Sequence, residues 1–489
     1  MPRSRPTRSR LERRRRASAR IALYASLGTV GALVAALLAF LGRELPVDGS
    51  TAWAREDYAS RPEVALLREY IAIDTSTPDG DQLAGAEWVA GRLEAMGLEP
   101  VVERIGDEAN VWAVLEGRRP EAVVLHHHVD VDPIAHPELW THDPFGGEIE
   151  GPWIYGRGAF DMKSVGVAQL EAVRALVESG RRPELSVIVL ATTGEEVGSD
   201  LGTKWFLRAH PELVERFAVV LTEGGAVEGT RPGEVKYWGT ETSQTRLVQV
   251  AICEASAEAL RALERDLARE HGLEGEPRLV PEIAEFLAGY APSRDSRRLR
   301  ASLEDPRALV RDRRGLAGLS TYLRAFLVDR VIPKGVRRAP GGGFVLSINL
   351  LLLPGSDPAQ VLAERLPDWL VHGFAVEVYD EGGASHGTPR KHWAFGVIDR
   401  VMRERYPDFV HGPLYLPSTV TDARFFRRAG VPTFGFTPFN VLTPEVLSIR
   451  QGATVEERIG LDGYLEGVDL YRELLDRLAL TVPKNDVAR

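Results

Sequence analysis

Residues 125–223 contain four polar clusters that decide the fold: His126-His127-His128-Val129-Asp130, Gly156-Arg157-Gly158-Ala159-Phe160-Asp161-Met162-Lys163, Thr193-Gly194-Glu195-Glu196 and Thr222-Glu223-Gly224-Gly225. Several clusters follow an apolar run, such as Val123-Val124-Leu125 or Val187-Ile188-Val189-Leu190. Such runs predict buried parallel strands, whose ends would bring a histidine and several carboxylates to one edge of a sheet. Imidazole and carboxylate groups with no cysteine nearby suit zinc, manganese or cobalt.

Length and charge narrow the classes of protein. A chain of 489 residues exceeds what one core normally holds, so we expect two domains. The net charge is −10, but the first twenty residues carry nine arginines and one acid, which leaves −18 for the remainder. An acidic body argues against nucleic acid as a partner. The single cysteine, Cys253, excludes an internal disulfide and any multi-cysteine metal site.

The amino terminus predicts a membrane anchor. Residues 1–20 form a basic tail, residues 21–42 are uncharged and mostly apolar, and residues 43–60 form a polar tether. An apolar run of this length can span a bilayer, and the preceding arginines would keep the amino terminus cytoplasmic and the remainder extracytoplasmic. The alternative is a secreted protein whose signal peptide is cleaved, because Ala52-Trp53-Ala54 resembles a small-x-small cleavage site.

The rest of the chain alternates predicted helices and strands, which indicates an α/β architecture. Predicted helices cover Pro62–Met96 with a turn at 74–78, and 165–178; predicted strands cover 110–115 and 122–125. The pattern of predicted elements changes near Ser243. There the predicted order is a strand at 246–253, a helix at 255–270, an arginine-rich helical segment, a strand at 344–353, a helix at 359–370 and a strand at 375–379. A helix at 393–406, a short strand at 431–436 and a closing helix at 461–480 follow.

The order of the four clusters resembles the M20 family of metallopeptidases and aminoacylases, over about Pro62 to Leu478. The similarity extends to its carboxypeptidase and N-acyl-amino-acid hydrolase branch, some members of which carry an amino-terminal anchor. It implies a zinc-exopeptidase-like catalytic domain with a mixed, mainly parallel sheet, interrupted by a smaller α+β lid or dimerisation domain, and a homodimer. We place the two parts of the catalytic domain at 61–242 and 383–489, and the lid at 243–382.

The resemblance also assigns roles to individual residues. It makes His128 a metal ligand oriented by the Asp130 carboxylate, Asp161 a bridge between two metals, and Glu196 and Glu223 a ligand of one metal each. It makes Glu195 the general base, which would pass a proton from water to the leaving nitrogen. The cofactor would be one or two zinc ions, with manganese or cobalt as alternatives. The expected reaction is hydrolysis of an amide in a peptide or an N-acyl amino acid by water that a metal activates.

Three family features are missing. The family has a carboxyl-terminal histidine ligand where this chain has Ala453, so the fifth ligand is unknown. Gln451 or a neighbouring carboxylate could replace it, His411 or His386 could reach the site, or the second metal could be weak or absent. The family's lid histidine is not seen near residues 240–252, and its substrate-binding arginine corresponds to Leu351.

Two residues could compensate for these losses in substrate binding. Thr421-Asp422-Ala423-Arg424 matches a family segment, and Arg424 could bind a substrate carboxylate; the alternative is an exposed pair at a helix start. His386 could act near the domain junction, or be a solvent-exposed hinge residue. The rival to an enzyme is a binding protein with a partial metal site that has lost turnover, motivated by Ala453 and Leu351.

Overall fold

The apolar runs at 122–125 and 187–190 form neighbouring parallel strands, in which Val124 pairs with Ile188. This is seen in a computed structural model that describes residues 58–134, 136–231, 234–254, 256–268, 275–339, 342–366, 375–380, 387–440 and 455–481. Both runs are buried on both faces of their sheet. Val123, Leu125, Val187 and Val189 contact one hydrophobic core, whereas Val124, Ile188 and Leu190 contact another. Successive side chains of a strand point to opposite faces, so a strand covered on both sides must be apolar throughout.

The larger sheet has nine strands in the described residues. They are β1 Val101–Ile105, β2 Glu108–Leu115, β3 Arg119–His128, β6 Leu185–Thr192, β7 Phe217–Thr222, β8 Ala226–Arg231, β9 Glu234–Gln244, β14 His411–Leu416 and β15 Thr433–Gly435. Their order is β1-β2-β6-β3-β7-β15-β9-β14, with β8 paired to β9. The central strands β6, β3, β7 and β15 are parallel, and the flanking β1-β2 and β8-β9 pairs are antiparallel. A three-stranded sheet contains β4 Glu148–Glu150, β5 Trp153–Tyr155 and β16 Arg458–Gly460.

Helices cover both faces of the larger sheet, as the alternating pattern predicts. The helices of the described residues are α1 Pro62–Ile71, α2 Gln82–Ala95, α3 Lys163–Glu178, α4 Thr203–Ala209, α5 Pro211–Val214, α6 Ala257–Leu267, α7 Pro281–Tyr290, α8 Arg297–Glu304, α9 Pro306–Leu309, α10 Arg313–Ala317, α11 Thr321–Arg324, α12 Pro358–Arg365, α13 Trp393–Arg405, α14 Ala423–Arg428 and α15 Leu461–Ala479. Buried residues of α1, α2, α3, α13 and α15 share the first core, and buried residues of α4 and α14 share the second. The chain therefore has the predicted mixed α/β architecture.

A second, antiparallel sheet lies between β9 and β14 in the sequence. Its order is β11-β12-β10-β13, formed by β10 Arg246–Glu254, β11 Arg330–Arg338, β12 Phe344–Leu352 and β13 Ala375–Asp380. Leucines of α6 and α12 pack on it and complete a separate core. The boundaries 243 and 382 that the sequence suggests for a lid domain stay a prediction, since all described residues belong to one unit that spans Trp53–Arg489.

Strand β9 was not predicted from the sequence, because the second half of this strand is polar. Residues 240–245 are all polar, yet all are buried. Glu241 pairs with Arg427 through two hydrogen bonds of 2.7 and 2.6 Å and also accepts the Gly435 N–H. Burial of polar groups is tolerated when such partners are present, and these partners come from a distant part of the chain.

Helix ends also differ from the predictions. Helix α6 is shorter than the predicted 255–270 because the Ser256 side chain accepts the Glu258 N–H and begins the helix there. Helix α12 begins in the same way at Asp357. Strand β3 is longer than predicted and ends at His128, so it includes all three histidines.

The predicted basic tail and membrane anchor, and the tether up to residue 57, lie outside the described residues. Among the helices of the described part, none is long and apolar enough to cross a membrane.

Candidate metal centre and catalytic site

His128 lies at the carboxyl end of β3, with both ring nitrogens engaged. Nδ1 is 2.8 Å from the backbone oxygen of Asp130, to which it donates. Nε2 lies 3.2 Å from Asp161 Oδ1 and 3.9 Å from Glu223 Oε2. A histidine that donates one N–H to a carbonyl presents the lone pair of its other nitrogen, which is the usual arrangement of a metal ligand.

Three ligand atoms converge at this point. One atom each from His128, Asp161 and Glu223 lies within 4.8 Å of the others, and within the described part of the chain no other group of histidine, cysteine or acidic residues does so. Strand β7 ends at Thr222, so Glu223 leaves the same edge of the sheet as His128. One imidazole and two carboxylates form a donor set that fits zinc, manganese or cobalt.

The loop that carries Asp161 is held by one distant carboxylate. Glu457 accepts hydrogen bonds from the backbone N–H groups of Gly158, Phe160 and Asp161 at 3.0, 2.8 and 3.0 Å. It also accepts one from Arg157 Nη1 at 2.9 Å, and both side chains of this ion pair are buried. The Gly-Arg-Gly-Ala motif is therefore a loop folded around Glu457. No role for Glu457 was predicted from the sequence.

Asp130 positions Glu195 and Glu196, and not only His128. Its two carboxylate oxygens accept the backbone N–H groups of Glu195 and Glu196, each at 3.1 Å. Its nearer carboxylate oxygen is 3.6 Å from His128 Nδ1, farther than the backbone oxygen that this nitrogen contacts. Asp130 thus fixes the short 3₁₀ turn Glu195–Val197 relative to the end of β3.

Burial and mutual repulsion raise the pKa values of the acids at this site. Burial, with Glu223 and Asp422 nearby, holds the pKa of Glu195 well above its ordinary value. Burial, Asp161 and Glu195 raise the pKa of Glu196 to about 11, and burial with Asp161 raises that of Glu223 to about 7.

Burial acts on the pKa of the imidazole in the opposite direction. Burial alone would lower the pKa of His128, but hydrogen bonds to Asp161 and Glu223 raise it well above the ordinary value. Acids that repel one another, grouped around an imidazole, form a site that a divalent cation would stabilise once the imidazole has given up its second proton.

Glu196 lies beside the three-residue group but outside it. Its carboxyl shares a hydrogen bond with Asp132, a residue that the sequence analysis did not select. Burial raises the pKa of Asp132, while the Arg157 charge opposes that shift. Asp132 lies two residues after Asp130, and this spacing was the feature of the sequence that could have identified it as a residue of the site. The metal-ligand role of Glu196 stays a prediction.

A cavity of about 710 Å³ opens at these residues. Polar side chains lining it include Asp161, Glu195, Glu196, Glu223, Thr421 and Arg424; apolar side chains lining it include Phe160, Val165, Val197, Leu247, Leu416 and Phe439. Arg424 Nη1 donates to the Thr421 carbonyl oxygen at 2.8 Å and lies 4.0 Å from Glu195 Oε1. The structure therefore brings Arg424 to the predicted base, in a helix-start segment that lines the cavity.

The residues proposed to replace the missing ligand are only partly described. His386, Gln451 and Ala453 lie outside the described residues. His411 is buried, with Nδ1 2.9 Å from Asp399 Oδ1 and Nε2 2.9 Å from Thr240 Oγ1, and it is not in the three-residue group. Leu351 is buried in β12 opposite Leu247, which lines the cavity.

Comparisons with known proteins agree with this geometry. The profile of peptidase family M20/M25/M40 matches residues 124–477. Aminoacylase-1 of Sus scrofa is 28% identical over 424 residues, which cover 86% of this chain and 95% of the relative. An M20 family metallo-carboxypeptidase from Sulfolobus solfataricus superposes with a TM-score of 0.65 at 17% identity, over 86% of this chain and all of that one. Human carnosine dipeptidase 1 superposes with a TM-score of 0.62 at 14% identity, over 87% and 98% of the two chains. None of these similarities supports the binding-protein alternative.

Proposed function

Because this chain belongs to peptidase family M20/M25/M40 and is a metal-dependent amide hydrolase, we propose that its substrates carry a free carboxylate on the amine side of the scissile bond. N-acyl amino acids and the carboxyl-terminal bonds of peptides both meet this description. The observation that carries the proposal is the position of Arg424, whose guanidinium lies 4.0 Å from Glu195 in the cavity that the candidate metal ligands line.

Arg424 would take the role of the family's substrate-binding arginine, whose position in this chain is occupied by Leu351. Guanidinium groups bind carboxylates through two parallel hydrogen bonds, which fix orientation as well as affinity. Among the described residues that line the cavity, Arg424 is the one cationic side chain, so it is the side chain there that would attract a substrate carboxylate. Arg424 would therefore set which end of the substrate lies near Glu195.

The chain's own residues divide the chemical work. His128, Asp161 and Glu223, with Glu196 as a further candidate, would hold a divalent cation, which when bound polarises the scissile carbonyl and lowers the pKa of water to about 7. Glu195 accepts the proton of the attacking water and returns it to the leaving nitrogen. Asp130 keeps Glu195 in place through its backbone N–H.

Apolar residues of the cavity favour an apolar acyl group or side chain. Val197 lies two residues after Glu195, lines the cavity and is 62% exposed. Covering such a side chain with an aliphatic group contributes about 1.5 kcal/mol, or roughly tenfold in affinity. We expect Val197→Ser to lower kcat/KM for N-octanoyl-methionine by about that factor while N-acetyl-methionine changes little. Val101→Ser, at a 46% exposed valine of β1, is the matched control.

The carboxylate proposal is tested with matched substrates and variants. The wild-type protein, loaded with zinc, should hydrolyse N-acetyl-methionine and leave its carboxamide almost untouched. Arg424→Ala should raise KM for the acid by about tenfold or more, as expected for loss of a charge-assisted hydrogen bond, and erase the preference over the carboxamide. Arg424→Lys should restore part of it. Equal rates on the acid and the carboxamide by the wild type would refute the proposal.

The donor set supports a proposal for the metal. We propose zinc, because one imidazole with carboxylate oxygens suits it, and manganese or cobalt are the alternatives. Metal analysis of the purified protein, with chelation and reconstitution by each ion in turn, decides between the metals and between one bound ion and two.

The placement of the chain in the cell and its assembly are also proposals. The uncharged run at 21–42 and the arginines before it support a single-pass anchor with the catalytic part extracytoplasmic. Carbonate extraction and protease protection of membranes would test it, and a soluble extracellular product would instead favour cleavage. A homodimer is supported only by the family resemblance, and sedimentation of the solubilised protein would test it.

A further inference from the structure

His126 is a buried histidine that no step above uses. It lies two residues before His128 in β3 and is completely shielded from solvent. Its Nδ1 is 2.7 Å from Thr222 Oγ1, and its Nε2 is 2.9 Å from Thr192 Oγ1 and 3.1 Å from Thr203 Oγ1. These three threonines belong to different elements, namely β7, β6 and the start of α4. One imidazole therefore joins three segments of the fold.

Asp422 extends this arrangement to the segment that carries Arg424. Its Oδ2 accepts a hydrogen bond from Thr203 Oγ1 at 2.6 Å, and its Oδ1 accepts one from Ser199 Oγ. Oδ2 also lies 3.9 Å from His126 Nε2. Asp422, Ser199 and Thr203 are all fully buried, so the hydrogen bonds are shielded from water.

The directions of these bonds follow from their chemistry. A carboxylate only accepts, so Thr203 must donate to Asp422, and its oxygen is then available to accept. The negative charge of Asp422 beyond Nε2 favours the tautomer that carries its proton on Nε2. Nδ1 is then the acceptor for the Thr222 hydroxyl. The result is a continuous chain from Thr222 through His126 and Thr203 to Asp422.

Each end of this chain adjoins a residue of the site. Thr222 immediately precedes Glu223, and Asp422 lies two residues before Arg424. Ser199 follows the turn that contains Glu195 and Glu196. We propose that His126, Thr203 and Asp422 form a positioning network that keeps Glu223, the Glu195 turn and Arg424 in register with one another. The inference rests on the roles proposed above for those three residues.

Thr203 gives the sharpest test, since it contacts neither the proposed metal ligands nor the base. Thr203→Val preserves shape but removes the link between His126 and Asp422, whereas Thr203→Ser retains the hydroxyl. Thr245→Val is the matched control, because Thr245 is also a buried threonine and its hydroxyl donates to the Leu352 carbonyl oxygen in the second sheet. All variants are compared at a fixed interval below their own Tm, so that general destabilisation does not enter the comparison.

Two quantities are measured on the full chain: kcat for N-acetyl-methionine, and the zinc dissociation constant by competition with a chelating dye. We expect Thr203→Val to lower kcat and to raise the dissociation constant by about tenfold each, as for residues that orient metal ligands through another group. Thr203→Ser and Thr245→Val should stay within about twofold of the wild type. If Thr203→Val does not fold, Ser199→Ala removes the neighbouring bond to Asp422, and a tenfold lower kcat is expected from it.

Unchanged kcat and zinc affinity in folded Thr203→Val would overturn the network, and so would a serine variant that behaves like the valine variant. Failure of the proposed function is distinguishable from both outcomes. If the wild type hydrolyses no carboxylated amide, the substrate proposal fails, whereas the zinc affinities, which require no substrate, still decide whether the network positions Glu223.

Discussion

Glu457 Oε1 accepts the backbone N–H of Asp161 at 3.0 Å, although 296 residues separate the two in the chain. The contact connects the end of the catalytic part to a candidate metal ligand that lies in its first third. Burial raises the pKa of Glu457 to about 7, while Arg157 and three backbone N–H groups act in the opposite direction. The shape of the Asp161 loop therefore depends on a residue that no local motif contains.

Glu457→Gln should destabilise the protein by about 3 kcal/mol, because it removes the buried carboxylate that pairs with the Arg157 guanidinium at 2.9 Å. Urea unfolding of the zinc-free protein measures the change. Glu87→Gln is the control, since Glu87 forms an exposed ion pair with Arg104 and should cost less than about 1 kcal/mol. Equal losses in the two variants would mean that the buried pair has no special role.

Glu195→Gln should lower kcat by about a thousandfold and leave zinc content intact, because the amide cannot accept the proton of water. The measurement is kcat together with metal analysis of the same sample. Glu196→Gln is the informative neighbour. A ligand at that position predicts reduced zinc affinity, so the two variants should differ in which quantity changes. Substantial turnover by Glu195→Gln would remove Glu195 as the base.

Zinc should stabilise the protein strongly. The acids around His128 repel one another, and a bound cation would relieve that repulsion. A cation that binds only the folded state adds about 2.7 kcal/mol to the free energy of unfolding when its free concentration is a hundred times its dissociation constant. Calorimetry with zinc and then with excess chelator should show a reversible shift of Tm. Asp161→Asn should lose most of the shift, since Asp161 belongs to the three-residue group. The same shift in that variant would place the zinc site elsewhere.

The His142–Glu456 pair should make stability depend on pH. Burial alone would raise the pKa of Glu456, but hydrogen bonds from His142 and from backbone N–H groups lower it to about 2. Burial alone would lower the pKa of His142, but Glu456 and Glu150 raise it. Nδ1 of the imidazole is 2.5 Å from Glu456 Oε2.

The two pKa shifts change stability in opposite directions as the pH rises. The contribution of Glu456 to stability is present above its ordinary pKa of 4.5 and is lost as the pH falls towards 2. The histidine's contribution is present below 6.5 and is lost as pH rises through its raised pKa. Comparing Glu456→Gln with wild type by urea unfolding from pH 3 to 9 should show a difference that is largest between 4.5 and 6.5. Glu150→Gln, at an exposed partner of the same imidazole, should change less. A difference that does not vary with pH would contradict the assignment.

Much of the site followed from the sequence because its residues stand where apolar strands end. His128 ends such a strand and Glu195 and Glu223 come after one, and the ends of neighbouring parallel strands share one edge of a sheet. Their convergence is therefore a consequence of local pattern and of one general rule of topology. The same reasoning could not anticipate the second half of β9, because the polar run at 240–244 has no apolar period, and the burial of Glu241 there depends on a partner, Arg427, far along the chain.

By itself, the sequence determined the α/β architecture, the order of the polar clusters and the chemistry those side chains can support, since strand burial and residue type are local properties. The tertiary structure alone decided that Glu457 shapes the Asp161 loop, that the Asp130 carboxylate holds the Glu195 turn and that His126 meets Asp422. Those relationships join residues that are distant in the chain, and hydrogen bonds between such residues arise only once the packing of the sheet and helices has brought them within reach.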